Sequence, residues 1–115
     1  MIEVTLKEYL EDNLSVPVEL EVPKSIPTKY VLLQIIDAGR IEHINAATFN
    51  VIVRGSTLYS AAQLRDEVKS LLFDSITLSC ISHVDQGGEL ADIDSANKVY
   101  QYELTFNFYF YEEET

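Results

Sequence analysis

The last stretch of the chain limits its fold more than any other. From Val99 to Tyr111, Tyr100, Tyr102, Leu104, Phe106, Phe108 and Phe110 all occupy even positions, with Gln101, Glu103, Thr105 and Asn107 between them. Period two is the spacing of a strand, and one face of this strand is almost wholly aromatic. At about 3.4 Å per residue the run from Val99 to Tyr111 spans roughly 44 Å, where an ordinary strand has five or six residues. Such a strand must bury its aromatic face under helices along most of its length or carry part of it to another subunit. Its character is that of an assembly element, not a catalytic one.

A chain of 115 residues fits one domain (residues 1–115) that buries about two-thirds of the surface exposed by its unfolded form. The apolar fraction of 47% lies well above the disordered range. No apolar run approaches the roughly 18 residues of a membrane helix, and no basic segment leads into a short apolar one. Neither a membrane span nor a signal peptide is expected, and a cytoplasmic address follows by default. Cys80 stands alone, which excludes an internal disulfide and a thiolate zinc site; its place in an alternating segment suits a buried structural thiol. The formal charge of −11 opposes the phosphate attraction that supplies most nucleic-acid affinity. Tight DNA or RNA binding is therefore disfavoured, although a wall past which DNA slides can be acidic.

Along the chain, Leu6, Tyr9, Leu10 and Leu14 share one helical face, and Thr5 with Glu8 has capping-box spacing, so a helix is expected over about 3–13. Residues 15–29 carry Pro17, Pro23 and Pro27 around Val18–Glu21, a segment short enough to pair only at a sheet edge. Tyr30 to Ile36 is nearly all apolar, the pattern of a central strand covered on both faces. Asp37–Arg40, with Gly39, reads as the turn of a hairpin whose second strand carries Phe49, Val51 and Val53. Leu58, Ala61, Leu64, Val68, Leu71 and Leu72 then give a second helix, with Ser60 and Gln63 as a capping candidate. Ile76, Leu78, Cys80 and Val84 alternate as a further strand, and a loop over 85–98 leads to the aromatic run. The fold class that suits this order is α+β: an antiparallel four-stranded sheet, with a possible short edge strand, packed against two main helices on one face.

The 85–98 loop holds four carboxylates, Asp85, Glu89, Asp92 and Asp94, directly after His83. Read as a calcium loop beginning at Asp92, it puts Ala96 where an oxygen ligand belongs and lacks the glycine of the sixth position. A solvated, mobile hairpin tip accounts for the same residues. Neither His43 nor His83 stands in a nucleophile motif, and no helix start with a lysine follows Gly87-Gly88 to make a phosphate loop. Asp66 and Glu67, near Arg65 and Lys69, read as a solvated helix face. No catalytic constellation, metal site or cofactor is expected; a metal-dependent enzyme built on the acidic loop and His83 stays as the alternative from another class.

Three stretches carry a resemblance that covers nearly the whole chain. They are the proline-rich Val22-Pro23-Lys24-Ser25-Ile26-Pro27-Thr28-Lys29-Tyr30-Val31, the passage Ile52-Val53-Arg54-Gly55-Ser56-Thr57-Leu58-Tyr59-Ser60-Ala61-Ala62 with Val68 and Leu71, and Tyr100-Gln101-Tyr102-Glu103-Leu104 with Phe106 to Tyr111. In these the chain resembles the tail terminator (tail completion) proteins of long, non-contractile-tailed bacteriophages. The resemblance implies a structural virion protein whose protomers form a hexameric ring on the last ring of tail-tube protein, stop tube growth and offer the surface to which the filled head attaches, with tail-tube and head–tail connector proteins as partners. It implies a location in the virion tail after assembly in the bacterial cytoplasm, with DNA passing through the ring without specific binding. Another head–tail joining or neck protein would use the same kind of ring, and an adaptor that recruits a peptide at a sheet edge is a further alternative. On the ring reading, Tyr109 and Tyr111, opposite the aromatic face, are candidate interface anchors. Arg40 or Arg54 would meet acidic groups of a neighbour, and Asp85, Glu89, Asp92 and Asp94 would project from one ring face toward tube or connector.

Overall fold

In a computed structural model, which describes residues 1–111, the chain runs through α1 (Ile2–Asn13), β1 (Val18–Glu19), β2 (Tyr30–Ile41), β3 (Ile44–Gly55), α2 (Leu58–Asp74), a 3-10 turn (Ser75–Thr77), β4 (Ile81–Asp94) and β5 (Val99–Phe110). The strands form one sheet in the order β1-β2-β3-β5-β4. The class is α+β as expected, but the sheet is five-stranded and mixed. Its three long pairings are antiparallel, whereas β1 lies parallel to β2 through Val18–Val31 and Glu19–Leu32. Two residues of pairing suffice to add β1 because the prolines on either side confine the ladder, with Pro17 still accepting from the Val31 N–H at 2.9 Å.

The register explains the aromatic periodicity. Val53, Val51 and Phe49 of β3 stand opposite Tyr102, Leu104 and Phe106 of β5 on one face, and Val31 and Leu33 of β2 continue the row. Leu6 and Leu10 of α1 and Leu64, Val68 and Leu72 of α2 close over that face, so both helices share it. Phe49 meets Phe108 edge-on at 5.6 Å between centroids, and Phe73 of α2 meets Phe106 at 5.2 Å. Each such pair adds about 0.5–1.5 kcal/mol beyond the area it buries. Along α1 the spacing Ile2, Leu6, Leu10 places one buried side chain per turn, and the Tyr9 hydroxyl donates to Leu71 O at 2.7 Å to tie the two helices together. Burial of that phenol pushes its pKa up, with the Asp74 charge adding to the effect.

Several boundaries differ from those expected. Helix α1 has Met1 at its N-cap with no side-chain cap, and Thr5 Oγ1 donates to Met1 O instead of capping Glu8. At α2 the cap is Thr57, whose side chain accepts from Ser60 N while Ser60 Oγ accepts from Thr57 N, so the box is Thr57–Ser60 and not Ser60–Gln63. Ile76 falls in the 3-10 turn and Leu78 and Cys80 precede β4, because Leu78 N and Ile81 N close successive turns onto Ser75 O and Leu78 O. Cys80 is half-buried against the core rather than enclosed within a strand.

The two expected loops are strand. β2 does not turn at Asp37–Arg40 but continues to Ile41, and the chain reverses at Glu42 and His43 with φ of 47° and 75°. Positive φ at both centres is the two-residue turn whose twist matches paired strands, a conformation usually given to Asn-Gly, which hides it from a sequence reading. Likewise 85–98 is not one long loop. β4 pairs with β5 as far as Asp94–Val99, and only Ser95–Lys98 turn. These extensions give a body of 48 × 24 × 24 Å, long along its strands.

Candidate functional site

On the sheet face turned away from the helices, alternate residues of three strands build a polar surface. Thr48 Oγ1 donates to Asn107 Oδ1 at 2.7 Å, and Asn107 Nδ2 donates to Asp85 Oδ1 at 2.7 Å. The other Asp85 oxygen lies 3.4 Å from His83 Nε2, which completes a chain across β3, β5 and β4. A second rung joins Asn50 Nδ2 to Glu103 Oε1 at 3.2 Å, and a third joins Gln101 Nε2 to Asp92 Oδ2 at 3.0 Å. Cross-strand pairs of this sort fix register, because a slip of one residue would carry every member to the aromatic face. Their signal in the sequence was the polar set between the aromatics. It read as spacing alone, since the partners Thr48 and Asn50 lie more than 50 positions away.

The acidic residues are divided by strand parity. Asp85 and Asp92 join the open face just described. Glu89 points to the helix side, where Lys69 Nζ donates to it at 2.9 Å and the Arg65 guanidinium lies 3.9 Å away. The hydrogen bond from Lys69 holds the Glu89 carboxyl below its usual range, with further help from Gln86 and Arg65. Arg65 also covers the Tyr102 ring at 4.6 Å, so this group clasps the β4–β5 ribbon to α2. Asp94 closes the turn by accepting from Asn97 Nδ2 at 2.7 Å and Asn97 N at 3.2 Å, and these bonds lower its pKa. Among the described residues no three His, Cys, Asp or Glu side chains come together as a metal site.

The remaining candidates are scattered. Tyr109 lies on the open face of β5, its ring 5.5 Å from that of His83. Tyr111 follows β5, half exposed, with its N–H bound to Cys80 O at 2.8 Å. Arg54 sits on the open face between Tyr30 and Gln101, at the opposite end of β3 from the hairpin, while Arg40 is exposed near that hairpin on the helix side. They do not form one basic patch. His43 is exposed in the turn. A shallow acidic groove of about 450 Å³ runs between the helices past Asn13, Asp66, Glu67, Ser70 and Leu71.

What the sequence reading missed is the pair of open edges. β1 occupies β2 only at Val31 and Leu32, and among the described residues no strand lies beside the rest of β2 or along the outer side of β4. Ile35 and Ile36 on the first edge and Leu90 on the second are exposed by 42%, 59% and 62%. A scan against protein-family models finds no match, and neither does a comparison with curated proteins. No helix among the described residues is long and apolar enough to cross a membrane.

Proposed function

We propose that this chain is a structural virion protein of the tail-terminator kind: a subunit of a ring, hexameric in the family it resembles, that caps the phage tail tube, stops its polymerisation and presents the head-attachment surface. The observation that carries the reading is the sheet with two long unpaired edges on opposite flanks. Exposed edges invite pairing with another chain, and contacts between unlike surfaces of identical subunits generate a ring when the rotation closes. The side chains gathered on the open face are mutually hydrogen-bonded amides, hydroxyls and carboxylates, which suits a surface that holds shape. A net charge of −11 weakens attraction to phosphate, so DNA passes such a ring without being held. The assembled protein would reside in the virion tail after assembly in the host cytoplasm, with tail-tube and head–tail connector proteins as its partners.

The test is negative-stain microscopy and mass measurement of the purified protein with and without tail-tube protein. Rings seated on tube ends are expected. A strict monomer in both samples, with tubes that lengthen unchecked, overturns the reading.

A further inference from the structure

We propose that the distal half of β2 receives the outer edge of β4 from a second copy of this chain, antiparallel, with Arg40 opposite the neighbour's Glu89. The inference rests on the ring reading above and names the contact that would build the ring.

The backbone is prepared on both sides. From Ile35 to Arg40 every residue of β2 is exposed, as is every residue from Gly87 to Asp94 of β4. In a two-residue hairpin the pair flanking the turn, Ile41 and Ile44, is the hydrogen-bonded one, so Ala38 and Arg40 turn their N–H and C=O groups outward. Strand directions agree as well. β2 is antiparallel to β3, β3 to β5 and β5 to β4, which makes β2 and β4 antiparallel within one subunit. Lateral repetition of the sheet therefore sets β4 of one copy antiparallel to β2 of the next.

The side chains select a register. Residues opposed across a ladder must share a face, and on the helix side β2 offers Ile35, Ala38 and Arg40, with the extra residue Ile36 taken up by the bulge between Ile35 and Asp37. On the same side β4 offers Ile93, Ala91 and Glu89, opposite Tyr100, Tyr102 and Leu104 of its own β5. One alignment pairs Ile35 with Ile93, Ala38 with Ala91 and Arg40 with Glu89. On the open face it sets the exposed Leu90 over Gly39, and it brings Asp94 to Gln34, just past the point where β1 ends. Its one unfavourable pair is Asp37 with Asp92; each already accepts a hydrogen bond, from Ala38 N and from Gln101 Nε2.

Pairing of like edges is worse. A two-fold β4–β4 ladder brings together two strands that carry Asp85, Glu89, Asp92 and Asp94 and no lysine or arginine, and a two-fold β2–β2 ladder cannot join Asp37 to Arg40, which lie on opposite faces. The stagger also permits closure. The level of Arg40 crosses its own sheet through Asn45 and Phe110 to Ile81, whereas Glu89 lies at the level of Leu104. That offset is about 20 Å along the strands for four strands, about 19 Å, across, a tilt of about 45° of the kind closed sheets adopt.

Disulfide trapping tests this. In a Cys80→Ser background, the double variant Ala38→Cys with Ala91→Cys is oxidised at high concentration, beside a parallel sample treated with glutaraldehyde, which joins any neighbours. A disulfide-linked ladder extending beyond the dimer is expected, with a mixture of the two single variants stopping at the dimer. Adding Asp37→Asn should raise the trapped fraction about threefold by removing the like-charge pair. A disulfide dimer from either single variant alone would mean like-edge pairing and overturn the proposal. Glutaraldehyde oligomers without disulfides would overturn this edge contact while leaving the ring reading intact. No disulfide in any sample likewise rejects the contact, and the ring reading is then judged by microscopy on tubes.

Discussion

Gly55 shows how tightly a single position can be fixed. A Cβ built there would lie 2.4 Å from Ala61 N and 2.6 Å from Ala61 Cα, because α2 starts hard against the end of β3. No rotamer relieves a clash with backbone, so Gly55→Ala should destabilise the fold by about 3 kcal/mol in urea unfolding. Gly88 is the control. A Cβ there meets nothing within 4 Å and its φ is not positive, so Gly88→Ala should be neutral or stabilise by up to about 1 kcal/mol. Both glycines stand in strands and look alike in the sequence; only the partner element separates them.

At the scale of elements, the β2–β3 hairpin carries strain at its turn. Glu42 and His43 hold φ of 47° and 75°, a region that favours Asn and Gly. Replacing them together by Asn-Gly should stabilise the protein by about 1 kcal/mol, read as a higher urea midpoint with unchanged slope. The clasp between the β4–β5 ribbon and α2 gives a pH prediction. Glu89 is held below its ordinary range by Lys69, so the folded state releases its proton more readily than the unfolded one. Its contribution is fully present above the ordinary glutamate pKa and is lost as pH falls from there through the lower value of the folded state. Glu89→Gln should therefore cost about 0.5 kcal/mol at pH 7, and the gap from the parent protein should shrink at pH 3.

For the whole molecule, the sheet order divides the backbone by protection. β3 and β5 have a strand on each side, whereas β2 beyond Leu32 and all of β4 have one. Hydrogen exchange should find the amides of Phe49, Val51, Leu104 and Phe106 slowest and the outward amides of Ala38 and Arg40 fast. If assembly works through these flanks, the Ala38 and Arg40 amides should slow on ring formation while the core amides stay unchanged. Exchange at those two positions that does not respond to assembly would point to another surface.

Much of the fold was legible because alternation and helical stripes report burial directly. The aromatic face of β5, the buried stripes of α1 and α2 and the α+β class all followed from periodicity in segments whose cores lie beneath them. Periodicity fails where a strand leaves the core. Residues 37–41 and 85–94 carry glycine and carboxylates, the marks of loops, and become strand only because the neighbouring strand supplies their hydrogen bonds. For the same reason the parallel pairing of the short edge strand, the parity that sends Glu89 to α2 but Asp85 and Asp92 to the open face, and the two free edges belong to the tertiary structure. Chain chemistry determined what had to be buried; pairing between residues distant in sequence decided what was left to meet a partner.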